Sequence, residues 1–590
     1  MVVGGFTIKA VKEVPLMNVC MIFPPVFDPS MPYLAPFQLR AYIEKHLPGC
    51  KLDVLDLNIL FFNSIINNPY QSFTRDLDLV DSYMAILASE NEIHQALQEW
   101  SRNRGVAVAR QGIDYSFNQD VSANVSRFIA EGGRFYESLE EIYKSNVDLS
   151  KYDVVGFSIA VYDQLIPALI LAEITKRSRD SIVTVLGGNV VSRISSELLT
   201  ANLVTNIDYL VKMEGELPLE NLIRHLTNRN IEKPTNNLIH ANTASIVDIV
   251  DSPAGVVVDM DSFPMVTFNA NDLARYYSPV PVLPIQLSRG CSWGRCTYCG
   301  IYSGWCASYR ARSISSMADE IEHHVSEYGV RNFRLVEESP SLDHILGLSA
   351  EIISRKLDVR VEAYLNVNKR LVDDSVVDIL YKAGFRQLFL GLESVDQDVL
   401  RSVEKGINNP SYYAEILECL HRHGISTYCF FLIGLPEDQI ANEVKLEEFV
   451  VDTESIDTMA VSSYIPITNS KMFSSGELFV KYGLDVVPKG DITTRCDYGL
   501  NGSLGEAVSA RAERMVTRIF QRRLDLYISS NIPYEARFYM IVRFGNAYGK
   551  VLAKNSRFAN IAVTLSDELR QRIKGLSGRF GDMDAKPDGD

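Results

Sequence analysis

The sequence predicts an α/β protein: an N-terminal doubly wound, Rossmann-like domain, then a partial (β/α)6 barrel, then a mostly helical C-terminal region. Three observations predict it. Apolar runs of strand length alternate with helically spaced stretches along residues 16–60 and 150–230, and the same alternation returns six times from residue 284 onward. Between the two runs, residues 231–282 are irregular and rich in Pro, Asn, Asp and Ser, which reads as a linker. The chain has 590 residues, too many for one core, and its 46% hydrophobic and 22% charged content is that of an ordinary folded protein.

The elements follow in order. In domain 1–230, LMNVCMIF is a buried strand, PPVFDPSMPY a proline-rich loop, FQLRAYIEKHL a helix and KLDVLDLNI a second strand. Residues 61–150 are polar, aromatic and mostly helical, an insertion into the α/β pattern. The pattern resumes with the strand DVVGFSIA, the helix QLIPALILAEITKRS, the strand SIVTVLGGN and, after another helix, IDYLVKMEGE. Ligands on such sheets sit at the carboxyl ends of strands. Those ends carry Ser158, Gly187, Gly188 and the Glu214-Gly215-Glu216 run.

In the barrel, 283–485, the strands PIQLS, NFRLVEES, RVEAYLNV, RQLFLGLES, STYCFFLIGLPE and TMAVSSYIPI are separated by helices. Barrel active sites also lie at strand carboxyl ends. Region 486–590 is helical in part. It is expected to close the barrel mouth, with aromatics such as Tyr534, Phe538 and Tyr539 as core, and its tail GDMDAKPDGD is expected to be disordered.

Composition narrows the function classes. A net charge of −16 without a long basic run argues against general nucleic-acid binding. Nine cysteines, mostly scattered singly, suit a reducing cytoplasm. The N-terminus shows no signal-peptide cleavage pattern, and no stretch reaches the roughly 20 apolar residues of a membrane span. A cytoplasmic protein without a membrane or nucleic-acid partner is expected.

The chemistry-bearing feature is SRGCSWGRCTYCGIYSG, with Cys291, Cys296 and Cys299 inside nine residues. Three thiolates can hold a 4Fe–4S cluster and leave its fourth iron open to substrate. The alternative is half of a zinc site, but structural zinc wants four closed ligands and Cys306 completes no familiar second pair. Only Cys496 lies beyond Cys429, too few for an auxiliary cluster.

With these motifs in this order, residues 16–480 resemble the radical S-adenosylmethionine (SAM) superfamily, and within it the subgroup with a cobalamin-binding N-terminal domain. The cysteine spacing is four then two, where three then two is usual. The resemblance implies that SAM chelates the open iron through its amino and carboxylate groups. It puts Tyr298 near the adenine, Glu337 or Glu338 at the methionine amino group, Glu393 and Ser394 at the ribose, and Gly434 with Pro436 at the turn beside adenine. Arg310 and Arg312, in YRARSISSMADEI, become candidates for a carboxylate or phosphate contact.

The Asp-x-His-x-x-Gly cobalamin signature is absent, and PPVFDPSMPY holds no histidine. The resemblance therefore implies base-off cobalamin, its tail passing Ser158, Gly187 and Gly188. The implied activity is C-methylation of a natural product or ribosomally made peptide through a 5′-deoxyadenosyl radical and methylcobalamin. The alternative is rearrangement, ring contraction or cyclisation without methyl transfer. A flavodoxin- or ferredoxin-like protein would donate the electron.

Overall fold

The computed structural model describes residues 17–227, 237–241, 257–304, 306, 308–475, 480–481, 484–500 and 508–558. The predicted disordered tail, residues 1–16 and parts of the linker, 231–236 and 242–256, lie outside the described residues.

The first sheet is built from β1 (Asn18–Phe23), β2 (Lys51–Asp56), β5 (Val154–Ser158), β6 (Val183–Gly187), β7 (Tyr209–Val211) and β8 (Leu238–His240), in the order β2-β1-β5-β6-β7-β8. All pairings are parallel except β8 on β7. The order reverses between β1 and β5, the switch point where such sheets open a crevice at their carboxyl edge. Strand β8 falls inside the stretch read as linker. Three residues give too short a periodic signal to separate a strand from an irregular segment.

Between β2 and β5 the chain makes the helices Leu57–Ile65, Leu79–Ser101, Ser122–Glu131 and Gly133–Asn146, with a hairpin of β3 (Val106–Ala109) and β4 (Gly112–Tyr115). These elements share one apolar core with β1, β5 and the C-terminal helices, through residues such as Phe61, Phe135, Phe157, Ile528 and Met540. Tyr83 in the insertion donates from its hydroxyl to the Ile528 carbonyl at 2.9 Å.

The second sheet holds β9 (Leu283–Ile285), β12 (Asn332–Leu335), β13 (Arg360–Leu365), β14 (Phe385–Glu393), β15 (Ser426–Ile433) and β16 (Thr458–Ser463), parallel and in sequence order. It is the open six-stranded half-barrel that the sequence predicts. Its outer core packs Phe333, Leu335, Leu388 and Leu390 against helices. Its concave side carries Arg334, Glu362, Tyr364, Phe389 and Tyr428, and the helix Tyr534–Phe544 enters from the C-terminal region to cover it. Tyr534 stacks on Tyr428 with ring centroids 5.5 Å apart, and Glu535 pairs with Arg334 at 2.7 Å. Tyr534 therefore shapes the lumen, whereas Phe538 and Tyr539 are core.

Two short antiparallel pairs complete the fold: β10 (Ser288–Arg289) with β11 (Arg310–Ala311), and β17 (Leu484–Pro488) with β18 (Cys496–Leu500). No helix among the described residues is long and apolar enough to cross a membrane.

Candidate active site

The carboxyl edges of the two sheets face one another across a cavity of about 430 Å³. Ser158, Gly187, Gly188, Asn189 and the loop 213–216 form one wall, while Gln286, Arg289, Arg334, Val336, Glu338 and Tyr364 form the other. Met21, Val185, Val211 and Leu219 make the depth of the first wall apolar. That size and mixture suit an organic ligand or cofactor.

The walls are held in register by buried ion pairs across the domains. Arg289 donates to Glu214 at 2.7 Å and to Glu216 at 2.5 Å, with its guanidinium over the Phe263 ring at 4.6 Å. Arg310, predicted as an anion contact, pairs with Glu214. Arg312 is spent on Glu320 at 2.6 Å and on Ser316 at 2.9 Å, and is absent from the cavity lining.

The cysteine loop follows β10 and lies beside this cavity. Tyr302 shapes it: the phenol donates to the Cys291 carbonyl at 2.6 Å and accepts from the Cys291 N–H at 3.1 Å. Its ring closes on Gly290 and Gly294, both at positive φ, where a Cβ would approach the ring to 3.0 and 2.5 Å. Side chains at these two positions are excluded by backbone and by space together. Farther along, the Thr297 N–H donates to the Val403 carbonyl and the Met472 N–H to the Thr297 carbonyl, at 3.0 and 2.7 Å.

All three cysteines are free and partly buried. Their sulfurs are not all within 4.8 Å of one another. Ligands on a single zinc, with Zn–S near 2.3 Å, would sit under about 4 Å apart. The three sulfurs are thus not gathered as ligands of a single zinc ion would be. Burial, with the neighbouring thiols, pushes the Cys296 thiol up to about 12, and the Lys405 ammonium pulls the other way. A cation bound among the sulfurs would favour their thiolates.

Among the described residues one trio does fall within 4.8 Å: Asp374, Cys419 and His423, on the outer helices. The Asp374 oxygen that faces both partners is already held by Arg422 at 2.5 Å, which makes the trio a tie between helices.

Strand pleat decides between the paired carboxylates. Arg334, Val336 and Glu338 alternate along β12 and its extension and line the cavity. Glu337 points the other way, fully buried, accepting from the Leu287 N–H at 3.4 Å. Burial pushes its carboxyl up to about 8. Glu338 is thus the carboxylate that lines the cavity.

Glu393, at φ +62° where β14 ends, accepts from the buried Lys405 ammonium at 2.7 Å. Ser394 is buried beside it and receives the Asp396 N–H at 3.1 Å. Gly434 has φ +80° and donates its N–H to Asp438 at 2.7 Å, and the Pro436 carbonyl accepts from Ser402 at 2.8 Å. Tyr298 packs against the small apolar cluster of Val399, Val403 and Leu435, where burial holds its hydroxyl well above its usual range.

Three residues outside the predicted set belong to this site. Asn366, just past β13, reaches Cys291 Sγ at 3.5 Å with its amide nitrogen. It is a polar residue at a strand's carboxyl end, a signal present in the sequence. Lys405 and Arg289 carry no such signal, because nothing local marks a lone cation as buried.

The comparisons with known proteins agree with this geometry. A family model of the radical SAM superfamily matches residues 285–450. The matched span holds the cysteine loop and the half-barrel strands β12 to β15, and the chain therefore carries a radical SAM domain. Over 261 residues the chain is 26% identical to the anaerobic magnesium-protoporphyrin IX monomethyl ester cyclase of Synechocystis sp., covering 44% of this chain and 51% of that protein. It is 24% identical to the hopanoid C-3 methylase of Methylococcus capsulatus, over 56% of this chain and 62% of that protein. The chain thus spans about half the length of the first of these relatives.

Two solved structures share the two-sheet fold. The radical SAM methyltransferase TsrM of Kitasatospora setae, with cobalamin and a [4Fe–4S] cluster bound, matches at TM-score 0.53 and 16% identity, over 80% of each chain. The cobalamin-dependent radical enzyme OxsB, with aqua-cobalamin bound, matches at TM-score 0.58 and 13% identity, over 96% of this chain and 72% of that one.

Proposed function

We propose that the protein is a cobalamin-dependent radical SAM enzyme that methylates an unactivated carbon of a small-molecule or peptide substrate. The observation that carries the reading is the cavity between the two carboxyl edges. It has a wall of Ser158, Gly187 and Gly188 on one side, Glu338 and Tyr364 on the other, and the three-thiol loop beside it. Cys291, Cys296 and Cys299 would hold a 4Fe–4S cluster, and the apolar slot behind Ser158 would take the nucleotide tail of base-off cobalamin. When bound, the cluster would supply an electron for SAM cleavage and cobalamin would carry the methyl group.

The protein's own residues bind, orient and exclude water. Glu338 is placed to accept from the methionine ammonium of SAM. Glu393, with its outer oxygen fixed by Lys405, and Ser394 are assigned to the ribose. Tyr298, Leu435 and the Gly434 turn offer a flat apolar seat for adenine. Arg310 acts through Glu214, which lines the cavity, while Arg312 and Glu337 lie behind it. Reduction of the cluster would need an external one-electron donor of the flavodoxin or ferredoxin class.

The test is anaerobic turnover of the reconstituted protein with SAM, hydroxocobalamin, reductant and a pool of candidate substrates, read by mass spectrometry. The expected result is 5′-deoxyadenosine together with S-adenosylhomocysteine, the second only when cobalamin is present. 5′-Deoxyadenosine alone would transfer the assignment to rearrangement or cyclisation, and absence of both would sink it.

A further inference from the structure

The helix Asn189–Thr200 begins at the cavity and runs past the cysteine loop. Asn189, its first residue, lines the cavity. One turn later Arg193 leaves the N-terminal domain and reaches the loop. Its Nη2 approaches the Gly300 carbonyl at 3.5 Å, next to Cys299 in the chain. A Cβ on Gly304 would lie 2.7 Å from Arg193 Nε, so the guanidinium is packed flush against the turn that follows the cysteines. Asn189 fixes its direction by accepting from Nε at 2.9 Å.

The charge balance here sets Arg193 apart from the arginines that tie the two domains together. Most buried or half-buried arginines of this protein face a carboxylate, as Arg289, Arg312 and Arg334 do. Arg193 has no ion pair among the described residues, and its partners are an amide and a carbonyl. A half-buried cation without a counter-ion is costly, and its field is weakly screened there. Its electrostatic partners are Cys299 and Tyr162. A site that gains negative charge would reward that arrangement.

We propose that Arg193 tunes the cluster: its cation stabilises the one-electron-reduced state and so raises the midpoint potential. The inference rests on the reading that the three cysteines hold a 4Fe–4S cluster. The step is the oxidised cluster plus one electron giving the reduced cluster, the electron coming from the external donor or from dithionite. No proton or leaving group takes part. Reduction adds one negative charge, which the fixed cation attracts. Arg193 is a positioning residue that touches the loop and not the reacting atoms. Because it springs from the cavity wall, it also ties the N-terminal domain electrically to the cluster.

The experiment is a redox titration of the reconstituted full chain, followed by electron paramagnetic resonance of the reduced cluster, with iron counted in each sample. Arg193→Met keeps the packing volume and removes the charge. At a fixed poise it is expected to lower the ratio of reduced to oxidised cluster about tenfold, which for a one-electron couple is about 59 mV. Arg193→Lys is expected to stay near the wild type. A midpoint potential equal in Arg193→Met and wild type, with the iron count intact, overturns the proposal. If Arg193→Met fails to hold iron, the pair Arg193→Lys and Arg193→Gln decides instead: equal potentials overturn it and a lower potential for glutamine upholds it. A wild-type chain that assembles no four-iron cluster overturns the underlying reading and this inference with it, whereas a cluster indifferent to residue 193 overturns the inference alone.

Discussion

Glu337 shows how a single residue can be misjudged from its neighbours in sequence. The FRLVEESPS segment offers two adjacent carboxylates, and sequence does not say which one a ligand meets. The alternation of strand side chains settles it, because Phe333 and Leu335 belong to the helix-facing core and Glu337 must join them. The result is a fully buried carboxyl with a raised pKa of about 8, with burial as the first cause and Glu338 adding to it. The unfolded value is about 4.3. Between these values the folded protein keeps a proton that the unfolded chain releases, so unfolding gains from rising pH. Glu337 thus contributes stability that is present below about pH 4 and is lost as pH approaches 8. The expected outcome is that Glu337→Gln removes this slope. Its melting temperature should gain on the wild type steadily from pH 5 to pH 8. Parallel melting curves for the two proteins across that range would show that Glu337 is ionised in the fold.

At the scale of elements, the alternating strands and helices were legible in both sheets except at β8, since each long element buries a full apolar face. The cysteine loop was legible for a different reason: its ligands are contiguous in sequence. What escaped was short or assembled from a distance. The hairpins of β3–β4 and β17–β18 and the strand β8 are held by pairing and not by their own patterning. The β6 end shows the opposite case, a local signal with a strict physical cause. Gly187-Gly188 reads as a turn, and the structure gives Gly188 φ +113° and leaves no room for a Cβ against the Ile159 carbonyl. Gly188→Ala is therefore strained in backbone and in space. It is expected to cost about 1–3 kcal/mol in chemical denaturation. It should also disturb the edge that carries Ser158, lowering the retention of hydroxocobalamin on gel filtration. Wild-type stability in that variant would mean that the β6 edge relaxes freely.

The whole molecule depends on contacts that no local pattern announces. Glu214 and Glu216 stand at the end of β7 and Arg289 stands at β10, separated by 75 and 73 residues. In sequence the two glutamates mark a strand end, but nothing announces Arg289 as their partner. In the fold they are nearly inaccessible and bridge the two sheets at the mouth of the shared cavity. A buried pair adds little net stability over a well-packed apolar replacement, but removing one partner leaves the other uncompensated. Arg289→Met strands Glu216 completely and leaves Glu214 only Arg310. The expected loss is about 3–5 kcal/mol. Since the lost contact lies between the sheets, it should appear as a broadened or two-step denaturation with the N-terminal and barrel halves uncoupled. The control is the triple variant Glu214→Gln, Glu216→Gln, Arg289→Met, which removes the stranded charges. It should recover part of the stability, because residues of one network do not act additively. A triple variant no more stable than Arg289→Met would show that the arginine holds the domains by packing over Phe263, with the carboxylates incidental.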